Sequence, residues 1–215
     1  DFARKFEGPY KRLLDAGVKF HAALGNHDDP NQRYYKPFNL DGKRYRTFKE
    51  GNVRFFILDS NYLDPEQVKW LEKELEASDS EWKIAYFHHP LYTTARRGPE
   101  VELRAILEPL FMKHGVDVVF AGHEHVYERF KPQRGIHHFL AGGAAKLRKG
   151  DTRRGPLTAA AFDRGRPVMV VGIIDNKMFF QAISRTGAVI DEGIIPSRET
   201  AEATRAEVLP LVRSP

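Results

Sequence analysis

The stretch VVFAGHEHVYERF, residues 118–130, sets an apolar run against a glycine and two histidines spaced i, i+2. Residues 118–121 have the composition of a strand covered on both faces. Gly122 then permits a tight turn, and two imidazoles follow at once. Two other stretches repeat the arrangement: KFHAALGNHDDP, residues 19–30, and WKIAYFHHPLY, residues 82–92. Each reads as strand, sharp turn, histidine. In open α/β sheets, ligands gather beyond the carboxyl ends of the strands. Asn26, His27, His88, His123 and His125 are therefore candidates for one rim. In extended backbone, His123 and His125 would face one site while Glu124 points away. Imidazole nitrogens and a carboxamide oxygen suit zinc, iron or manganese.

Outward from these turns, the first half of the chain alternates helix and strand. Phe2, Phe6, Tyr10, Leu13 and Leu14 recur at helical spacing, with Gly17 as the stop. Residues 18–24 read as a short buried strand, and residues 44–60 as two strands joined at Glu50, Gly51 and Asn52. Asp64 and Pro65 open a helix with Val68, Leu71 and Leu75 on one face. Residues 98–115 read as a second helix, bent near Pro109. The second half is mostly hairpins, with corners at Asn176-Lys177 and Thr186-Gly187. Between the halves, residues 144–166 are basic, glycine-rich and weakly periodic, and read as a long loop. Lys146, Arg148, Lys149, Arg153 and Arg154 make it a candidate phosphate-attracting flap. The expected architecture is mixed α/β, two sheets packed with outer helices. The expected division is a domain over residues 1–196 and a peripheral tail, 197–215, with a weak helical pattern in Ala201, Val208, Leu209 and Leu211.

Composition bounds the chemistry. The 215 residues are 41% hydrophobic and 12% aromatic, enough for a sizeable core. There are no cysteines, which excludes disulfides, zinc-thiolate sites and cysteine nucleophiles. No apolar run reaches the roughly 18 residues of a membrane span. The formal net charge of +5 suits an anionic substrate. It admits a nucleic-acid partner, which is not favoured because no basic surface interleaved with aromatics is evident.

GNHD (residues 25–28), AYFHHP (residues 85–90) and GHEH (residues 122–125) together resemble the last three signature blocks of the calcineurin-like metallophosphoesterases, and the flanking text is most similar to their purple-acid-phosphatase-like branch. The resemblance covers roughly residues 1–195. It implies a two-sheet α/β/β/α sandwich and two divalent or trivalent metal ions, drawn from Fe, Zn and Mn, bridged by an aspartate. It implies that Asn26, His88 and His123 hold one metal and that His125 belongs to the other. His27 would stand beside the phosphate and the leaving-group oxygen, with Asp28 as its acidic neighbour. His89, Tyr92, Arg96 and Arg97 are candidates for substrate contact. The implied reaction is hydrolysis of phosphate monoesters by a metal-bound hydroxide. The alternatives are a phosphodiesterase acting on nucleotides or nucleic acid, and a binding module that keeps the fold without catalysis.

The sequence departs from the family at one end. No Asp-x-His occurs, and the one Gly-Asp, Gly150-Asp151, is followed by Thr152-Arg153-Arg154 in the loop. The bridging aspartate and most ligands of the second metal have no counterpart. The expectation is a fold incomplete at the N-terminus, a chain nearly inactive alone, and an upstream segment of the same protein as its partner. The resemblance is compatible with an extracytoplasmic location.

Overall fold

The structure, a computed structural model, describes residues 2–201; most of the tail expected from residue 197 onward lies outside them. Its centre is a seven-stranded sheet in the order β1-β2-β3-β4-β6-β5-β7. β1 (Arg46–Glu50) and β2 (Val53–Ile57) form the expected hairpin, with Gly51 at φ 58. β2, β3 (Trp82–Phe87), β4 (Val118–Ala121) and β6 (His137–Ala141) run parallel. β5 (Tyr127–Phe130) and β7 (Thr158–Phe162) close the sheet as an antiparallel edge. A second sheet, β10-β9-β8, is built from Pro167–Ile174, Lys177–Ser184 and Val189–Pro196.

Helix α1 (Gly8–Asp15) follows a π turn at Ala3–Glu7 and ends before Gly17, whose φ is 77. Helix α2 (Pro65–Glu76) starts where Asp64 Oδ1 accepts from Gln67 N at 2.7 Å, a side-chain cap with proline in the first turn. Helix α3 (Val101–Lys113) contains Pro109. Leu71 and Leu75 of α2 and Leu107 and Phe111 of α3 are fully buried against Phe56, Ala85, Phe87 and Val119 of the large sheet. Each such side chain contributes roughly 1.5–3 kcal/mol. The next residues along the same strands face the other way. Trp82, Ile84 and Val118 pack with Met178, Phe180 and Ala182 of the small sheet. Period-two alternation with both faces covered explains the near-continuous apolar runs in the sequence. The fold is the expected mixed α/β sandwich of two sheets. Among the described residues, no helix is long and apolar enough to cross a membrane.

Two segments differ from expectation. Residues 18–24 form no strand. Their backbone is held by the Ala22 N to Phe38 O bond and by side chains, Asn39 Nδ2 on Phe20 O and Tyr86 Oη on His21 O. A strand needs a ladder, and none of the described strands pairs with them. Conversely, the long loop contains β7. Its TAAAF sequence has low strand propensity, and pairing with β5 supplies the order that local sequence does not.

His138 on β6 gives an acid-stability prediction. It is buried beside Tyr92, with ring centroids 4.7 Å apart and Nε2 unpartnered. Burial, aided by His137 and Arg104, pushes its pKa from 6.5 to about 3. The unfolded chain takes up the proton first, so the associated stability is complete above pH 6.5. It is lost at up to about 1.4 kcal/mol per pH unit as the pH falls toward 3. Between pH 6 and pH 4, His138→Phe should therefore lose about 2–3 kcal/mol less than the parent chain. Urea unfolding at the two pH values measures this; equal losses would refute it.

Candidate metal centre

Parallel strands β3 and β4 end side by side, so His88 and His123 leave the sheet at the same edge. The two ends are stitched by Gly122 N donating to His88 O at 2.9 Å. The turn at residues 25–28 arrives from outside the sheet. Asp28 closes it: Oδ2 accepts from Gly25 N at 2.7 Å, and Asp28 N donates to Gly25 O at 3.0 Å. Asn61, in the loop between β2 and α2, donates to Leu24 O and holds the approach to that turn.

At this edge His88 Nε2 lies 2.8 Å from Asn26 Oδ1 and 3.0 Å from His123 Nδ1. The three atoms belong to residues 62 and 35 positions apart. His89 stands against them, its ring centroid 4.7 Å from that of His88 and 4.6 Å from that of His123. Among the described residues, His88, His89 and His123 form the one cluster of histidine and acidic side chains close enough to share a cation, with ligand atoms within 4.8 Å of one another. His89 Nδ1 is 3.0 Å from Ser60 Oγ, and Ser60 Oγ also accepts from His89 N, so serine fixes that ring.

The electrostatics favour unprotonated imidazoles. Burial, then the neighbouring imidazoles His89 and His123, takes His88 down to about 4. Burial, then His89 and Arg97, takes His123 to about 4. His89 and His125 are lowered too, chiefly by burial. A carboxamide oxygen and neutral ring nitrogens converging on one point make a donor set suited to a borderline cation. Asn26 Oδ1 and His123 Nδ1 both stand at contact distance from His88 Nε2.

The remaining candidates are placed differently. His123 has φ 67, a left-handed conformation uncommon outside glycine, so the backbone bends after β4. His123 and His125 therefore lack the extended i, i+2 geometry that would face them the same way. His125 stays outside the close cluster, and its buried Nδ1 has no partner. Glu124 does point away, into the protein: it is fully buried, with Arg148 on Oε2 at 2.9 Å. His27 is exposed and lines a separate cavity with Phe2, Phe6 and Phe38. Asp28 is engaged by Gly25 N. Arg97 reaches the centre, its guanidinium 3.0 Å from His123 Nε2. Arg96 meets Asp151 instead, at 3.7 Å. Tyr92 turns into the helix-side core, where its hydroxyl donates to Glu108 and its ring packs on Phe130 and His138. Burial and Glu108 push that phenol up to about 12; the apolar surroundings of β5 and α3 win over the rim.

The basic loop is pinned rather than free to swing. Arg148 N donates to His125 O, Thr152 N and Oγ1 donate to Asp163, and Arg153 N donates to Thr94 Oγ1. Sequence reasoning missed Ser60 and Gly142. A Cβ on Gly142 would lie 2.1 Å from Glu124 O, so only glycine fits beneath the histidine turn. Ser60 follows a parallel strand as His88 does, a signal that could have marked it.

The profile of the calcineurin-like phosphoesterase family matches residues 1–127. Probable purple acid phosphatase 20 of Arabidopsis thaliana is 38% identical over 114 residues, covering 46% of this chain and 26% of that protein. Fe(3+)-Zn(2+) purple acid phosphatase 12 of the same plant is 34% identical over 122 residues, covering 52% of this chain and 26% of that protein. This chain thus spans about a quarter of the length of these curated relatives. Among solved structures, purple acid phosphatase PPD1 from yellow lupin (Lupinus luteus) seeds superposes with a TM-score of 0.65 at 23% identity, over 72% of this chain and 33% of that one. The last likeness is one of fold.

Proposed function

We propose, because this chain belongs to the calcineurin-like phosphoesterase family, that its histidine edge is part of a metal centre that hydrolyses phosphate monoesters. The observation that supports this most is the convergence of Asn26 Oδ1, His88 Nε2 and His123 Nδ1 at hydrogen-bonding distance from three separate turns. These residues would hold one ion, and His125, with its unpartnered Nδ1, would serve a second. The name of the Arabidopsis relative points to iron and zinc as the pair. Bound there, two cations would neutralise the phosphoryl oxygens and activate a water for attack.

The protein's own groups do the rest. His27 donates a proton to the leaving oxygen. Arg97, already beside His123, binds a phosphoryl oxygen through charge-assisted hydrogen bonds. Ser60 fixes the ring of His89, which forms one wall of the phosphate pocket. On this reading Asn26, His88 and His123 serve one ion and His125 alone serves the other. Residues 1–215 alone should therefore hold the second ion poorly and turn over slowly.

The test is hydrolysis of 4-nitrophenyl phosphate and of bis(4-nitrophenyl) phosphate by the complete encoded protein, beside residues 1–215. The expected result is a chelator-sensitive monoesterase that prefers the first substrate, with residues 1–215 slower by at least about a hundredfold. A metal-replete complete protein that cleaves neither ester would end the reading. Preference for the diester would favour the phosphodiesterase alternative.

A further inference from the structure

We infer that the cavity opening on His27 takes the organic part of the ester, and that it selects an uncharged aromatic group. This inference rests on the placement of His27 beside the leaving oxygen proposed above. Whatever is bonded to that oxygen must occupy the space adjoining His27. The space is a cavity of about 740 Å³ walled by Phe2, Phe6, Tyr34, Tyr35 and Phe38, within the size range of small-molecule sites. A second cavity, of about 650 Å³, adjoins Asn26 and His89 on the other flank of the turn, but His27 does not line it.

The wall is ordered by ring contacts. Phe2 stacks on Tyr35 with centroids 3.8 Å apart and planes 6° apart. Phe38 meets Phe2 edge-on at 5.4 Å and Phe6 at 5.2 Å. Tyr35 is further tied to Glu7 through its hydroxyl. A ring entering this space would find faces and edges already fixed, so little side-chain entropy is lost on binding. Tyr34 differs from its neighbours. It lines the cavity yet is 64% exposed, so an incoming ring would cover it.

The charge at the rim argues against a second anion. Asp28 and Asp29 line the cavity against a single Lys5. Both carboxylates are bound to backbone N–H groups of their own turns, which holds them in place. A leaving group with its own phosphate or carboxylate would meet these two carboxylates, while the Arg33 guanidinium is already stacked on the ring of Tyr34. A phenyl-type group would not.

The experiment measures binding of phenylphosphonate and methylphosphonate to the complete encoded protein and to its Tyr34→Ala variant. These probes share the phosphoryl chemistry and differ in the ring alone. Phenylphosphonate is expected to bind about tenfold more tightly, and Tyr34→Ala to shrink that ratio to about twofold. Equal affinities in the parent, or a ratio that survives the substitution, would overturn the inference, as would failure of both probes to bind. Failure of the hydrolase reading is recognised separately: the probes then bind with the ring preference intact while neither ester is cleaved.

Discussion

Replacing His88 by Ala should lower metal affinity more than about a hundredfold and carry hydrolysis down with it, because loss of even an outer-shell partner commonly costs 10–100-fold. His88 Nε2 is the atom common to both short contacts at the centre, 2.8 Å to Asn26 Oδ1 and 3.0 Å to His123 Nδ1. Without it, the other two donors face a gap, and the cationic Arg97 beside His123 offers no replacement ligand. His89→Ala is the control. Its Nδ1 is engaged by Ser60 Oγ, and it serves as a wall, so its loss should weaken metal binding less than about tenfold. Metal titration of each variant, with thermal unfolding to show that the fold persists, decides the matter. Equal losses for the two histidines would contradict the assignment.

The second large effect comes from a residue with no functional group. A Cβ at Gly25 would fall 2.5 Å from both Cε1 and Nδ1 of His88. The imidazole cannot retreat, since the rings of His89 and His123 stand at 4.7 and 5.0 Å on other sides. Gly25→Ala must therefore either push His88 off the Asn26–His123 line or lift the turn that carries Asn26. Both separate the donor atoms. Overpacking of this kind costs about 1–3 kcal/mol locally. Global stability should change little, because residues 18–25 take part in no sheet ladder. The expected outcome is a folded protein whose metal affinity has fallen at least about tenfold. A Gly25→Ala protein that binds metal like the parent would show that the turn and His88 are not in register as described.

Much of this site was legible because its scaffolding is strongly patterned. β3 and β4 are buried on both faces, so their apolar runs stand out, and parallel strands ending together place His88 and His123 at one edge. The glycines at 25 and 122 marked the turns. What was hidden depends on neighbours rather than on local pattern. Residues 18–24 look like a strand but have no ladder beside them, whereas residues 158–162 look like loop and are ordered by β5. His125 was expected to share a face with His123, but the left-handed backbone at His123 removes the period-two geometry behind that expectation. Tyr92 sits three residues past His89, yet the apolar pocket beneath α3 claims its ring. Spacing along the chain does not record such competition.

On the proposed reading, a carboxamide and two imidazoles from three distant turns grip one cation. The decisive measurement is the anomalous difference map of a crystal grown with zinc. A peak should lie about 2.0–2.2 Å from Asn26 Oδ1, His88 Nε2 and His123 Nδ1 together. A peak held by other side chains, with these three atoms turned apart, would contradict it.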